Sequence, residues 1–128
     1  MPDLGSYPLL LVFVGGGAGS VTRYAITKFS LHWFGAYPFG TLAANLLGAL
    51  LAGIAAVLIY ERHVIHPPYN DLVLAGFLGG LTTFSAMVLD AHRLALHGMG
   101  WIAIVYILLN VLVGLILFSV AHYLARAA

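Results

Sequence analysis

The residues with the most chemical potential lie in one stretch, Gly76-Phe-Leu-Gly-Gly-Leu-Thr-Thr-Phe-Ser-Ala-Met87. Two adjacent glycines followed by two threonines and a serine weaken a helix at its midpoint. Inside a bilayer, non-helical backbone is tolerated only where protein or a cavity satisfies it. Carbonyls freed there can coordinate a cation, and freed amides can face an anion. A kink that serves packing alone is the competing reading. Phe84 follows the interruption. Its ring has a positive edge that can meet a small anion without a full charge, although a membrane phenylalanine can equally face lipid.

Other polar side chains fall into rows at helical spacing. Gly40, Ala44, Gly48, Ala52 and Ala56 recur every four residues, a small-residue stripe that lets another backbone approach closely. Thr41 and Asn45 form a second row one residue along. A carboxamide in mid-bilayer must find partners, through an interhelical hydrogen bond, an ion-lining role, or both. Gly15, Gly19 and Arg23 align on the first helix. Arg23 near that helix's end can snorkel to the interface or line an aqueous vestibule that draws anions in. Tyr106, Asn110 and Gly114 share a face further on, as a polar track or a bundle contact.

What is missing narrows the classes. Asp3, Glu61 and Asp71 are terminal or in a loop, and Asp90 sits near the end of the third apolar segment. A proton-coupled exporter of drugs or cations needs a titratable group in mid-membrane. His63 and His66 have a spacing that metal ligands use, but in a polar loop without thiolates they read as solvated. No nucleophile, base and orienting acid are grouped, so the sequence indicates no enzyme.

The elements that position these residues follow from composition. Of 128 residues, 62% are hydrophobic and 7% charged, and the mean hydropathy is +1.04. Soluble domains carry about a quarter charged residues, so the solvent here is lipid. A net charge of +1 argues against a nucleic-acid partner. With no cysteine there is no disulfide frame and no zinc–thiolate site. The apolar run from Pro8 to Val14 follows Asp3 and no basic residue, unlike a signal peptide.

Four spans are expected, over residues 7–30, 39–60, 72–92 and 101–125, forming one all-α transmembrane domain over 1–128, with the third helix broken mid-membrane. The proline-broken segment from Glu61 to Asp71 makes the central loop, and Gly98-Met-Gly100 the last turn. Both termini and the central loop then share one side of the membrane, with Arg62 and Arg126. Lys28 and Arg93 lie on the other, with Arg23 buried toward it. Orientation follows Lys/Arg bias, and here the bias nearly vanishes. Either an unseen factor sets the topology, or the chain inserts both ways. In the second case two copies can pair antiparallel, as the inverted repeats of larger transporters do within one chain.

Three motifs, Gly16-Gly-Ala-Gly-Ser-Val-Thr-Arg-Tyr24, Pro38-Phe-Gly-Thr-Leu-Ala-Ala-Asn-Leu-Leu-Gly48 and Gly76-Phe-Leu-Gly-Gly-Leu-Thr-Thr-Phe-Ser85, occur in an order that resembles the Fluc/CrcB family of bacterial fluoride channels. The resemblance covers essentially the whole chain, and the third motif is the most specific. It implies an antiparallel, dual-topology homodimer in the bacterial inner membrane, with two fluoride pathways and passive fluoride efflux that confers resistance. It also implies a structural sodium ion at the dimer interface, held by the backbone carbonyls of Gly79 and Thr82 of both chains. By the same resemblance Asn45 matches the pore asparagine, Phe84 the first of two pore phenylalanines, Arg23 the vestibule arginine and Tyr106 the fourth-helix tyrosine. Thr41 and Ser85 fall on polar positions along the pathway. The chain departs from the family where Ala86-Met87 replaces threonine-phenylalanine, and where Asn110 and Gly114 replace serines. Methionine has similar bulk and is polarisable but lacks a ring quadrupole. These departures also suit one subunit of a heterodimer. A small proton-coupled exporter and a non-conducting assembly subunit are the rival functions.

Overall fold

The computed structural model describes residues 6–128; Asp3, used above against a signal peptide, lies outside them. Among the described residues there are helices and no strands. Four helical segments are long and apolar enough to cross a membrane. Helix α1 covers Ser6–Phe34 and α2 Phe39–Glu61. The third span comprises α3 (69–81) and α4 (Phe84–Leu96), and α5 covers Gly100–Ala127.

Two helices run further than the sequence pattern suggested, and glycine explains both ends. Nothing between Ser30 and Phe34 breaks a helix, so α1 continues to Gly35, which turns the chain at φ 69°. Helix α4 likewise runs past His92 to Leu96. Gly98, at φ 77°, then closes it, with Gly98 N–H donating to Ala95 O at 3.1 Å and Met99 N–H to Leu94 O at 2.9 Å. That pair of reversed bonds satisfies carbonyls the helix end would leave orphaned. As a result Arg23 lies eleven residues inside α1, and Asp90 nearly two turns inside α4.

Helix α1 packs along α3, α2 along the C-terminal half of α5, and α4 along its N-terminal half. The α1–α3 crossing is made by glycines from both sides. A Cβ on Gly15 would overlap Leu72 O, one on Gly19 would overlap Phe77 O, and one on Gly80 would overlap Gly16 O. The obstructing atoms are backbone and have nowhere to go, so the helices meet main chain to main chain. Gly19→Leu is therefore expected to separate α1 from α3. The detergent-solubilised protein should lose about 10 °C or more in melting temperature, the size of effect overpacking of a few kcal/mol produces. An unchanged melting curve would contradict this crossing.

The small-residue stripe on α2 serves two neighbours. Gly40 abuts Thr27 of α1, and Gly48 abuts the Thr82 methyl group; Gly53, off that stripe, lies against Phe118 and His122 of α5. Met87, Ala91, Leu94, Ala103 and Tyr106 form one buried cluster between α4 and α5. Ala55, Ile59 and Leu78 form another. Large apolar side chains such as Phe13, Trp101 and Leu115 point outward, as a lipid-facing surface requires. At the end carrying the C-terminus, Glu61 meets His122 Nε2 at 2.9 Å and Arg126 Nε at 3.0 Å. Arg62 donates to Ala125 O at 3.0 Å, which ties α2 to the last turn of α5.

Candidate functional site

The centre of the third span is organised by two residues that leave the helix. Through Leu81 the backbone is helical; Thr82 then takes φ −87°, ψ 152° and Thr83 φ −152°, ψ 120°, both extended. Helix resumes at Phe84, capped by Thr83, whose hydroxyl accepts Ala86 N–H at 3.2 Å. The glycines at 79 and 80 are themselves helical, and the threonines carry the change of direction. Threonine suits this position, since its branched Cβ favours extended backbone and its hydroxyl can cap the next helix.

Every extended residue frees backbone groups that need partners. Thr83 N–H would bond Gly79 O in a continuous helix; here it donates to Asn45 Oδ1 at 2.7 Å. Asn45 Nδ2 in turn donates to Thr83 O at 3.1 Å and to Asn110 Oδ1 at 2.8 Å. The α2 asparagine thus grips both polar groups of the Thr83 peptide backbone. Gly80 O, which would have accepted Phe84 N–H, instead accepts Arg23 Nε at 3.0 Å. Arg23 therefore does not sit near a helix end free to snorkel; it reaches across to the third span, partly buried. Thr82 turns its own hydroxyl hydrogen back onto Leu78 O at 2.8 Å, so what it can offer a ligand is oxygen lone pairs and not an O–H.

These residues border an open groove of about 500 Å³. Asn45, Gly79, Thr82, Phe84, Met87 and Asn110 line it. Phe84 is 76% exposed, its ring unburied by its own chain, whereas Met87 is 5% exposed and packs into the α4–α5 cluster. Asn110 sits on a π-helical turn of α5, Leu109–Val113, and is buried, donating to Tyr106 O at 2.9 Å. Ser85 is exposed, its hydroxyl 3.4 Å from that of Thr83.

The remaining residues singled out from sequence lie elsewhere. Thr41 is buried and lines a separate cavity of about 180 Å³, near Ser30, Tyr37, Asp90 and Arg93. Tyr106 is buried under that level, its hydroxyl donating to Asp90 Oδ2 at 3.2 Å. The structure thus gathers Asn45, Phe84, Met87 and Asn110 with Gly79 and Thr82 around one groove, places Ser85 beside Thr83, and sets Thr41 and Tyr106 toward Asp90.

Sequence reasoning did not single out Thr83, Gly80 or Asp90 as site residues. Thr83 carried a usable signal, a threonine immediately before a run of helix-forming residues. Asp90 falls three residues after Met87, on the same helical face, which could have placed it with the buried tyrosine.

Helices of this length and apolarity, with polar groups converging on extended backbone between them, define a multi-pass membrane protein of the transport type. Residues 10–122 match the family described as CrcB-like protein, Camphor Resistance (CrcB). The chain is 43% identical over 96 residues to a fluoride-specific ion channel FluC of Burkholderia cenocepacia, covering 74% of this chain and 75% of that one. It is 37% identical over 120 residues to the fluoride-specific ion channel FluC of Francisella tularensis subsp. tularensis, covering 91% and 92%. The chain belongs to the CrcB family.

Proposed function

We propose that this protein is a fluoride-selective channel subunit that lets fluoride leave the bacterial cell passively across the inner membrane, and so confers fluoride resistance. The observation that carries this reading is the extended Thr82–Thr83 backbone. Asn45 grips it, and it opens on a groove beside the exposed Phe84 ring. The names of the relatives support the choice of ion. Fluoride holds its hydration shell tightly, so a pathway must supply replacement contacts along its length. Phe84, Met87 and Asn110 line the groove, and Ser85 lies beside Thr83. Thr41 and Tyr106 extend the polar row toward Asp90, and Arg23 adds positive charge.

Function in this reading requires a second copy. One chain leaves the groove open and Phe84 uncovered, and an antiparallel partner with its interruption against this one would enclose both, deep in the bilayer. The residues also suit a sodium ion between the two copies. Gly79 O has lost its helical donor to Asn45, and the extended Thr82 carries a second carbonyl close by, main-chain oxygens of the kind that hold sodium in broken transporter helices. When bound, that ion supplies positive potential near the groove, and the carbonyls of Gly79 and Thr82 would hold it.

The test is efflux from liposomes carrying the purified protein, followed with a fluoride electrode. Fluoride is expected to leave and chloride to stay, with no dependence on an imposed proton gradient. Efflux no faster than from protein-free liposomes would overturn the channel reading, and efflux driven by protons would favour the exporter.

A further inference from the structure

A second groove, of about 410 Å³, shares no residue with the one described above. It lies between α2 and the C-terminal half of α5. Leu50 and Ile54 line it from α2, and Leu117, Ala121, Leu124 and Ala125 from α5, a spacing that keeps the last four on one helical face. No polar side chain borders it. Its shape follows from small residues. A Cβ on Gly53 would overlap Phe118 O, so the two backbones touch there, and alanines at 121 and 125 leave the adjoining surface recessed. From Leu117 to Ala125 the helix rises about 12 Å, most of the depth of one hydrocarbon leaflet, about 15 Å.

The groove ends at charge. Arg62 donates from Nη2 to Ala125 O at 3.0 Å, so one guanidinium sits on a residue of the groove itself. Arg126 follows directly, and its Nε meets Glu61 Oε2 at 3.0 Å. Glu61, the carboxylate at this junction, is shared with His122 Nε2 at 2.9 Å. A guanidinium has five N–H donors, and among the described residues each of these arginines commits one. Both side chains are exposed. Tyr60 and Tyr123 are exposed at the same end, and tyrosines of membrane helices gather at the level of the lipid headgroups.

We propose that this groove seats an acyl chain of a phospholipid with a net negative headgroup, whose phosphate is held by Arg62 and Arg126. The groove matches a methylene chain in depth and in its lack of polar lining. The planar donor forks of two arginines match phosphate oxygens, and basic pockets between membrane helices take headgroups of this kind. A lipid so placed bridges the last turn of α5 and the end of α2, where Arg62 already joins them.

The experiment titrates the detergent-purified full chain with phosphatidylglycerol and, separately, with phosphatidylcholine of the same acyl chains, and reads retained lipid by native mass spectrometry. The parental protein is expected to hold phosphatidylglycerol about 20-fold more tightly, roughly 5-fold for each arginine facing an anionic headgroup. Arg126→Gln should remove about 5-fold of that preference, and Arg62→Gln with Arg126→Gln nearly all of it. Ala125→Phe fills the groove but keeps the main-chain acceptor of Arg62, so both lipids should weaken while their ratio holds. Lys28→Gln with Arg93→Gln removes the same charge near the opposite helix ends and should leave the preference within about 2-fold of the parent.

A preference that survives both arginine substitutions, or that the Lys28 and Arg93 pair lowers as far, overturns the headgroup assignment. Undiminished retention by Ala125→Phe puts the acyl chain elsewhere and overturns the groove. Displacement of phosphatidylglycerol by inorganic phosphate would make this a site for the free ion and sink the lipid. Arg126→Gln leaves the tie between Arg62 and Ala125 in place, so it decides the headgroup question even if the double variant does not fold. Because retained lipid is the readout, the result stands whether or not the chain conducts fluoride.

Discussion

Replacing Phe84 by isoleucine is expected to reduce fluoride efflux about 100-fold and leave the folded chain intact. The ring is 76% exposed within its own chain, so its loss removes little packing there, and exposed substitutions of this kind usually shift stability by less than about 0.5 kcal/mol. Isoleucine keeps the bulk and the apolar character. What it lacks is the partly positive ring edge. A contact to a nearly naked anion has the strength of a charge-assisted hydrogen bond, roughly 1.5–3 kcal/mol, and each 1.36 kcal/mol added to a barrier is tenfold in rate. The checking measurement is liposome efflux with chloride as control, beside circular dichroism to show retained helix. Tyrosine at position 84 keeps the ring edge and should restore most of the flux. If Phe84→Ile and the parent conduct alike, the groove beside Phe84 is not the pathway.

What the sequence disclosed, and what it withheld, follows the range of the physics involved. Hydropathy is a local sum, so four membrane helices are legible without coordinates. Glycine stripes are equally local, and Gly15 and Gly19 duly lie against the third span. Helix ends were less legible. Ser30 and His92 look like boundaries because polarity rises there, but polarity does not stop a helix whose backbone bonds can continue. The stops are Gly35 and Gly98, where φ is positive. Long-range hydrogen bonds were out of reach altogether. Asn45 and Thr83 are 38 residues apart and Asn45 and Asn110 are 65 apart, and no periodicity encodes such a pairing. For the same reason the sequence leaves Arg23 a choice between snorkelling and lining a vestibule and gives no sign of its bond to Gly80 O, 57 residues away. Thr41 shows a subtler limit. It shares a row with Asn45 on α2, yet one turn along the helix is enough to put it in a different cavity.

Gly79→Cys is expected to cross-link two copies of the chain almost completely in native membranes. A residue beside a two-fold axis meets its own symmetry mate, and if the Gly79 carbonyls of two copies share one ion, as proposed, their backbones must lie close together. The substitution is mild, because a Cβ at Gly79 reaches only Leu74 O at 3.6 Å, an ordinary contact. The chain contains no other cysteine, so every covalent dimer formed by an oxidant or a short bismaleimide reports on this position alone. Leu115→Cys, on an exposed face of α5, is the control and should remain monomeric. Orientation is read from the same sample with a protease-cleavable tag on the C-terminus. In an antiparallel pair, protease applied to either side of the membrane removes the tag from one member of each cross-linked dimer and spares the other. Dimers that lose both tags from one side would make the pair parallel. Failure of Gly79→Cys to cross-link under conditions that modify it fully with maleimide would place the third-span interruption away from any partner. With that, the shared-ion arrangement, and the enclosed groove it completes, would have to be given up.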